Sequence, residues 1–214
     1  MKRIDVRLVV GVFLVLVGVL AFLQTMGVVG NAMGLFWALV FAAAGAVFVY
    51  VFFTDRAQWW PIIPGFTLLG LGLLIALSLL FPYWGGEVGG AIFLASIGLA
   101  FLAIYYLRRD FWWAVIPGGV LVTLAVVAGI SPVMDGTAVG GVFFVGLALT
   151  FGSLYFLPAA QGQQKWAIIP AIVLLALGAL LLVEAVSNLS YALPVVLILA
   201  GGYLLWRAFG SRHA

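Results

Sequence analysis

Eight long apolar stretches, separated by short polar breaks, organise this chain. They cover about 6–28, 35–53, 59–81, 89–107, 111–130, 138–157, 166–186 and 190–208. Each is long enough to cross a hydrocarbon layer of about 30 Å at a rise of about 1.5 Å per residue. None alternates apolar and polar positions as a barrel strand does. A backbone in lipid has no water to bond, so each stretch is predicted to satisfy its own N–H and C=O groups as a helix. The predicted fold is an all-α integral membrane protein with eight transmembrane helices.

The breaks carry a second pattern. Trp59-Trp60-Pro61-Ile62-Ile63-Pro64-Gly65 opens the third stretch. Trp112-Trp113-Ala114-Val115-Ile116-Pro117-Gly118 opens the fifth, and Lys165-Trp166-Ala167-Ile168-Ile169-Pro170-Ala171 the seventh. Pro64, Pro117 and Pro170 follow one another at intervals of 53 residues. The stretches that return end near Tyr50, Tyr105, Tyr155 and Tyr203. This spacing predicts four helical hairpins repeated in parallel over about 6–53, 59–107, 111–157 and 166–208, the first a degenerate copy, in one transmembrane domain of residues 1–214.

The first four N–H groups of a helix lack an intrahelical acceptor, so a proline in the first turn loses little. Tryptophan favours the interface, where its ring is apolar and its N–H stays wet. The pairs Trp60 and Pro64, Trp113 and Pro117, and Trp166 and Pro170 are therefore read as structural anchors that set where each helix enters the bilayer. Tyr50, Tyr105, Tyr106, Tyr155 and Tyr203 are expected to form the matching belt. Lipid supplies no hydrophobic drive between helices, so close packing falls to small residues. Ala38, Ala42 and Ala46, Ala91 and Ala95, and Ala148 and Gly152 supply them at intervals of four.

Charge orients the helices. Lys2, Arg3, Arg7, Arg56, Arg108, Arg109, Lys165, Arg207 and Arg212 all fall on one side of eight spans. The opposite loops hold Glu87, Asp135 and Glu184. The positive-inside rule makes the basic side cytoplasmic, with both termini there. The N-terminus begins like a signal peptide, but no small-x-small cleavage site follows, so it is expected to stay as the first helix.

Composition agrees with this reading: 67% of the 214 residues are hydrophobic and 7% charged, against about 25% charged in a soluble domain. The net charge of +3 is spread over loops and makes no nucleic-acid patch. With no cysteine and one histidine, His213, no metal cluster, disulfide or Ser-His-Asp set can be assembled. No phosphate-cradling glycine loop is present either. No enzyme activity and no cofactor are expected. Glu184 is expected at the outer interface. Ser96, Thr150 and Ser153 are the candidates for lining a cavity, if they converge, against the default in which each bonds its own helix.

The segment from Gly11 to Gln24, rich in glycine and leucine, and the segment from Leu193-Pro194 to Tyr203 resemble the bacterial LiaI/LiaF-like transmembrane domain, here in tandem copies. The whole pattern also resembles multi-pass membrane proteins of Chloroflexi-like bacteria. The resemblance implies a bacterial inner-membrane protein linked to envelope-stress regulation, without catalytic residues, and the family's soluble C-terminal domain is expected to be missing. The expected role is a non-enzymatic membrane scaffold or accessory subunit, in the lipid bilayer, as a homo-oligomer or within a larger complex. The alternative is a channel or carrier for a small solute or lipid, built from hairpin repeats.

Overall fold

The computed structural model describes residues 6–27, 30–55, 58–157 and 164–187, with the single positions 195, 198 and 201. The described residues are helical, without strands. The helices are α1 (Val6–Thr25), α2 (Ala32–Thr54), α3 (Ile62–Leu80), α4 (Gly85–Leu107), α5 (Val115–Ile130), α6 (Gly136–Phe156) and α7 (Ile168–Ser187). Six segments, from α2 to α7 with their entry turns, are long and apolar enough to cross a membrane. The stretch expected at 190–208 lies outside the described residues apart from those single positions.

Local chemistry explains the ends. α1 stops at Gly27, whose φ of 70° is a left-handed conformation that glycine adopts without Cβ strain. Its N–H bonds the Gln24 carbonyl at 3.0 Å. α3, α5 and α7 begin alike. A single tight turn precedes each, closed by Ile62 N–H to Trp59 O (3.4 Å), Ala114 N–H to Phe111 O (3.0 Å) and Ala167 N–H to Gln164 O (3.0 Å). Pro64, Pro117 and Pro170 are each the third residue of their helix, where the missing N–H removes no intrahelical bond.

The chain forms two compact units, Met1–Ile97 and Gly98–Ala214, with the boundary inside α4. In the first, α2 packs extensively along α3. A Cβ added at Gly45 would lie 2.8 Å from both the Gly65 carbonyl oxygen and the Leu69 nitrogen. One added at Gly72 would lie 2.8 Å from the Ala38 carbonyl oxygen and 3.0 Å from the Ala42 nitrogen. The two helices are therefore antiparallel and touch backbone to backbone at two levels. Of the expected small face of α2, Ala38 and Ala42 lie in this contact, while Ala46 is exposed and Gly45 makes the second level. Across α3 and α4, Gly70 faces Ser96.

The second unit repeats these contacts. A Cβ at Gly98 would meet the Gly118 carbonyl oxygen and the Val122 nitrogen, both at 3.1 Å, where α4 meets α5. One at Gly178 would meet the Val145 nitrogen at 2.9 Å and the Gly141 carbonyl oxygen at 3.0 Å, where α7 meets α6. Gly146 of α6 faces Thr123 of α5. The core of this unit is small and tight. Ala100, Ala114, Ala167 and Leu154 are fully buried, and Ile104 is nearly so. Leucines and valines on the outer helix faces, such as Leu149, Val126 and Ile172, stay exposed, as lipid-facing positions should.

Candidate functional site

The cytoplasmic anchors expected from the sequence share one geometry. Trp60 meets Phe48 edge to face, with ring centroids 6.1 Å apart at 73°. Trp113 meets Phe101 at 6.3 Å and 74°, and Trp166 meets Phe151 at 6.1 Å and 74°. This is the preferred aromatic arrangement. Each pair ties an entry turn to the helix before it. The Trp166 indole N–H also bonds the Gln164 side-chain oxygen at 2.8 Å. The phenylalanine partners carry a sequence signal of their own, since Phe101 follows Phe48 by the same 53 residues.

At the end of α4 the adjacent tyrosines point in different directions. Tyr106 is 72% exposed and Tyr105 only 8%. Among the described residues the Tyr105 hydroxyl has no hydrogen-bond partner. The Arg109 guanidinium lies over both rings, 4.8 Å from the Tyr105 centroid and 5.3 Å from that of Tyr106. Asp55, at the end of α2, accepts a hydrogen bond from the Gln58 amide at 2.9 Å. Its sequence neighbour Arg56 lies outside the described residues.

Grooves flank the helices among the described residues. One of about 440 Å³ runs between α5 and α6, closed at one end by Leu102 of α4. Val115, Gly119, Val122, Thr123 and Val126 line one wall, and Val142 to Ser153 the other. A second, of about 410 Å³, lies between α6 and α7 around Leu149, Ser153 and Ile172. A third, of about 350 Å³, sits between the start of α2 and the end of α3.

Of the three cavity candidates, Thr150 and Ser153 share the α5–α6 groove. Ser96 belongs to the first unit and packs on Gly70. All three hydroxyl protons are used within their own helices. Ser96 donates to Phe93 O at 2.7 Å, Thr150 to Gly146 O at 2.9 Å and Ser153 to Thr150 O at 2.7 Å. Thr67 and Ser78 of α3 do the same, to Ile63 O and Leu74 O. These side chains present methylene, methyl and lone-pair surface, without a free donor for a polar solute.

Glu184, near the end of α7, is partly buried. Its Oε2 is enclosed and has no hydrogen-bond partner among the described residues. Among the described residues no group of three or more His, Cys, Asp or Glu side chains is placed to hold a metal ion. His213 lies outside them. No family model, curated protein or solved structure matches the chain. What the second unit offers chemically is an apolar groove between α5 and α6 and, past the end of α4, a cation stacked on two tyrosine rings.

Proposed function

We propose that this chain is a non-enzymatic membrane scaffold or accessory subunit. In this reading eight spans form four parallel hairpins in a bacterial inner membrane, with both termini in the cytoplasm. The repeat is supported by the near-identical Phe–Trp pairs. It is supported again by the glycine contacts of Gly45 and Gly98, which meet equivalent atoms 53 residues apart. The orientation rests on the basic loops. The absence of catalytic chemistry remains an expectation from composition.

One observation carries the scaffold reading: the span hydroxyls are turned onto their own helices while the backbones are brought together by small residues. Such a design favours rigidity over passage. The test is extraction into nanodiscs with native lipid, followed by mass spectrometry of the co-purifying proteins. A defined homo-oligomer or a stoichiometric partner is the expected result. A lone monomer at native expression level would refute the reading. The carrier reading keeps one observation in its favour, the apolar grooves on both sides of α6.

A further inference from the structure

The α5–α6 groove has a direction. From Val115 to Val126 it follows α5 for 11 residues, about 16 Å at 1.5 Å per residue. That is close to half of a hydrocarbon core of about 30 Å, the depth of one leaflet. Its lining is almost wholly apolar, and the Thr150 and Ser153 protons are already committed. It is open along its length, since Val126 is 49% and Leu149 67% exposed.

One end of the groove carries charge. Leu102 and Tyr106 lie four residues apart on α4 and share one face, and Arg109 follows just past the end of the helix. Arg109 folds back over the tyrosines, with its guanidinium 5.3 Å from the ring of Tyr106, one turn along α4 from Leu102. It is exposed, and stacking on ring faces leaves its N–H groups free to donate at the edge. A cation at the headgroup level above a leaflet-deep apolar groove is complementary to an anionic lipid.

We propose that the groove between α5 and α6 holds one acyl chain of an anionic glycerophospholipid, whose phosphate sits on Arg109. This goes beyond the scaffold reading and does not depend on it. The scaffold reading is judged by co-purifying protein, and this site by retained lipid.

The experiment is native mass spectrometry of the purified protein after exchange into mixed micelles. The micelles contain phosphatidylglycerol or phosphatidylcholine with identical chains, or soluble glycerol phosphate. One phosphatidylglycerol should survive detergent stripping, with much less phosphatidylcholine and no glycerol phosphate. Arg109→Gln should lower phosphatidylglycerol retention about fivefold, Arg109→Lys less, and the control Lys165→Gln little. Val126→Trp fills this groove alone and should abolish retention, while Ile172→Trp in the α6–α7 groove should not. Equal retention of the two lipids, or unchanged retention in Val126→Trp, would overturn the proposal, as would capture of glycerol phosphate as tightly as the lipid. Trp fluorescence melts establish that each variant is folded. Should Arg109→Gln not fold, the two headgroups compared on the unmodified protein together with Val126→Trp still decide the outcome.

Discussion

Gly45→Ala isolates the contact on which the packing depends. The added methyl would sit 2.8 Å from the Gly65 carbonyl oxygen, 2.8 Å from the Leu69 nitrogen and 2.8 Å from Leu69 Cγ. Two of these three atoms are backbone, so relief requires the helices to part. Overpacking of this kind costs about 1–3 kcal/mol. Alanine in place of glycine returns about 1 kcal/mol through helix propensity. The net expectation is a loss of up to about 2 kcal/mol.

The control is Gly90→Ala, also in a helix of the first unit, where nothing lies within 4 Å of the new methyl. Only the propensity gain applies there, so it should stabilise by up to about 1 kcal/mol. The propensity gain is common to both, so the two variants should differ by the overpacking cost, about 1–3 kcal/mol. Reversible unfolding in mixed micelles, followed by tryptophan fluorescence, measures this. The α6–α7 pair limits how large the effect can be. Ala148 and Ala171 stand there where Gly98 and Gly118 stand in the α4–α5 pair, and both are buried. That pair shows that an alanine spacing is attainable, at the expense of backbone contact. Gly45→Ala as stable as Gly90→Ala would refute the argument that this close approach holds α2 to α3.

Further outcomes follow from the same geometry. A double-mutant cycle of Phe101→Leu and Trp113→Leu should give a coupling of about 1 kcal/mol from the edge-to-face contact; zero coupling would make that contact incidental. Because the chain has no cysteine, single-cysteine variants can map its sidedness. Tyr83→Cys and Val133→Cys, at 98% and 83% exposed positions, should react with an impermeant maleimide from outside the cell. Gln58→Cys and Asp110→Cys should react only in inverted vesicles, and labelling of all four from one side would break the eight-span topology. Thr150→Val and Ser153→Ala should each change stability by less than about 1 kcal/mol, because they remove only a bond to their own helix. A larger loss, measured by the same unfolding assay, would mean that those hydroxyls serve another partner.

Much of the helix layout was legible because apolar length is a direct reading of what lipid demands of a backbone. The stretch expected at 35–53 is α2 (Ala32–Thr54), and the one at 59–81 contains α3 (Ile62–Leu80) behind its entry turn. The turn itself was foreshadowed by the Trp-x-x-x-Pro spacing, which marks a place where an N–H is dispensable. The partner of each small-residue face was not legible. Ala38 and Ala42 announce a close contact, but nothing in their spacing says that Gly72 of α3 is what meets them. Loops on both sides are short, so chain connectivity does not decide between neighbours. Nor did sequence separate Tyr105 from Tyr106. Adjacent helix positions diverge by about 100°, and only the packed neighbours determine which of the two turns inward. The α5–α6 groove was half visible, in Thr150 and Ser153, while Arg109 had figured only in the charge pattern that orients the spans.

The hydroxyl positions bear most directly on what the repeated helices are for. In the first unit glycine is on α3 and the hydroxyl on α4, as Gly70 against Ser96. The second unit has both arrangements, Gly119 on α5 against Thr150 on α6 and, at the position equivalent to Gly70 and Ser96, the exchanged one, Thr123 on α5 against Gly146 on α6. Thr123 follows Gly70 by 53 residues, as the prolines do, and Gly146 follows Ser96 by 50, as Phe151 follows Phe101. A catalytic or ion-binding hydroxyl must keep its place relative to the reacting atoms, so moving it to the facing helix would destroy the site. A spacer has no such requirement. It needs one small and one slightly larger side chain across the gap, and either helix can carry either. The exchange thus fits hydroxyls that fill volume between rigid helices, and it leaves the stacked Arg109 and the groove below it as the chemically distinctive surface in the second unit.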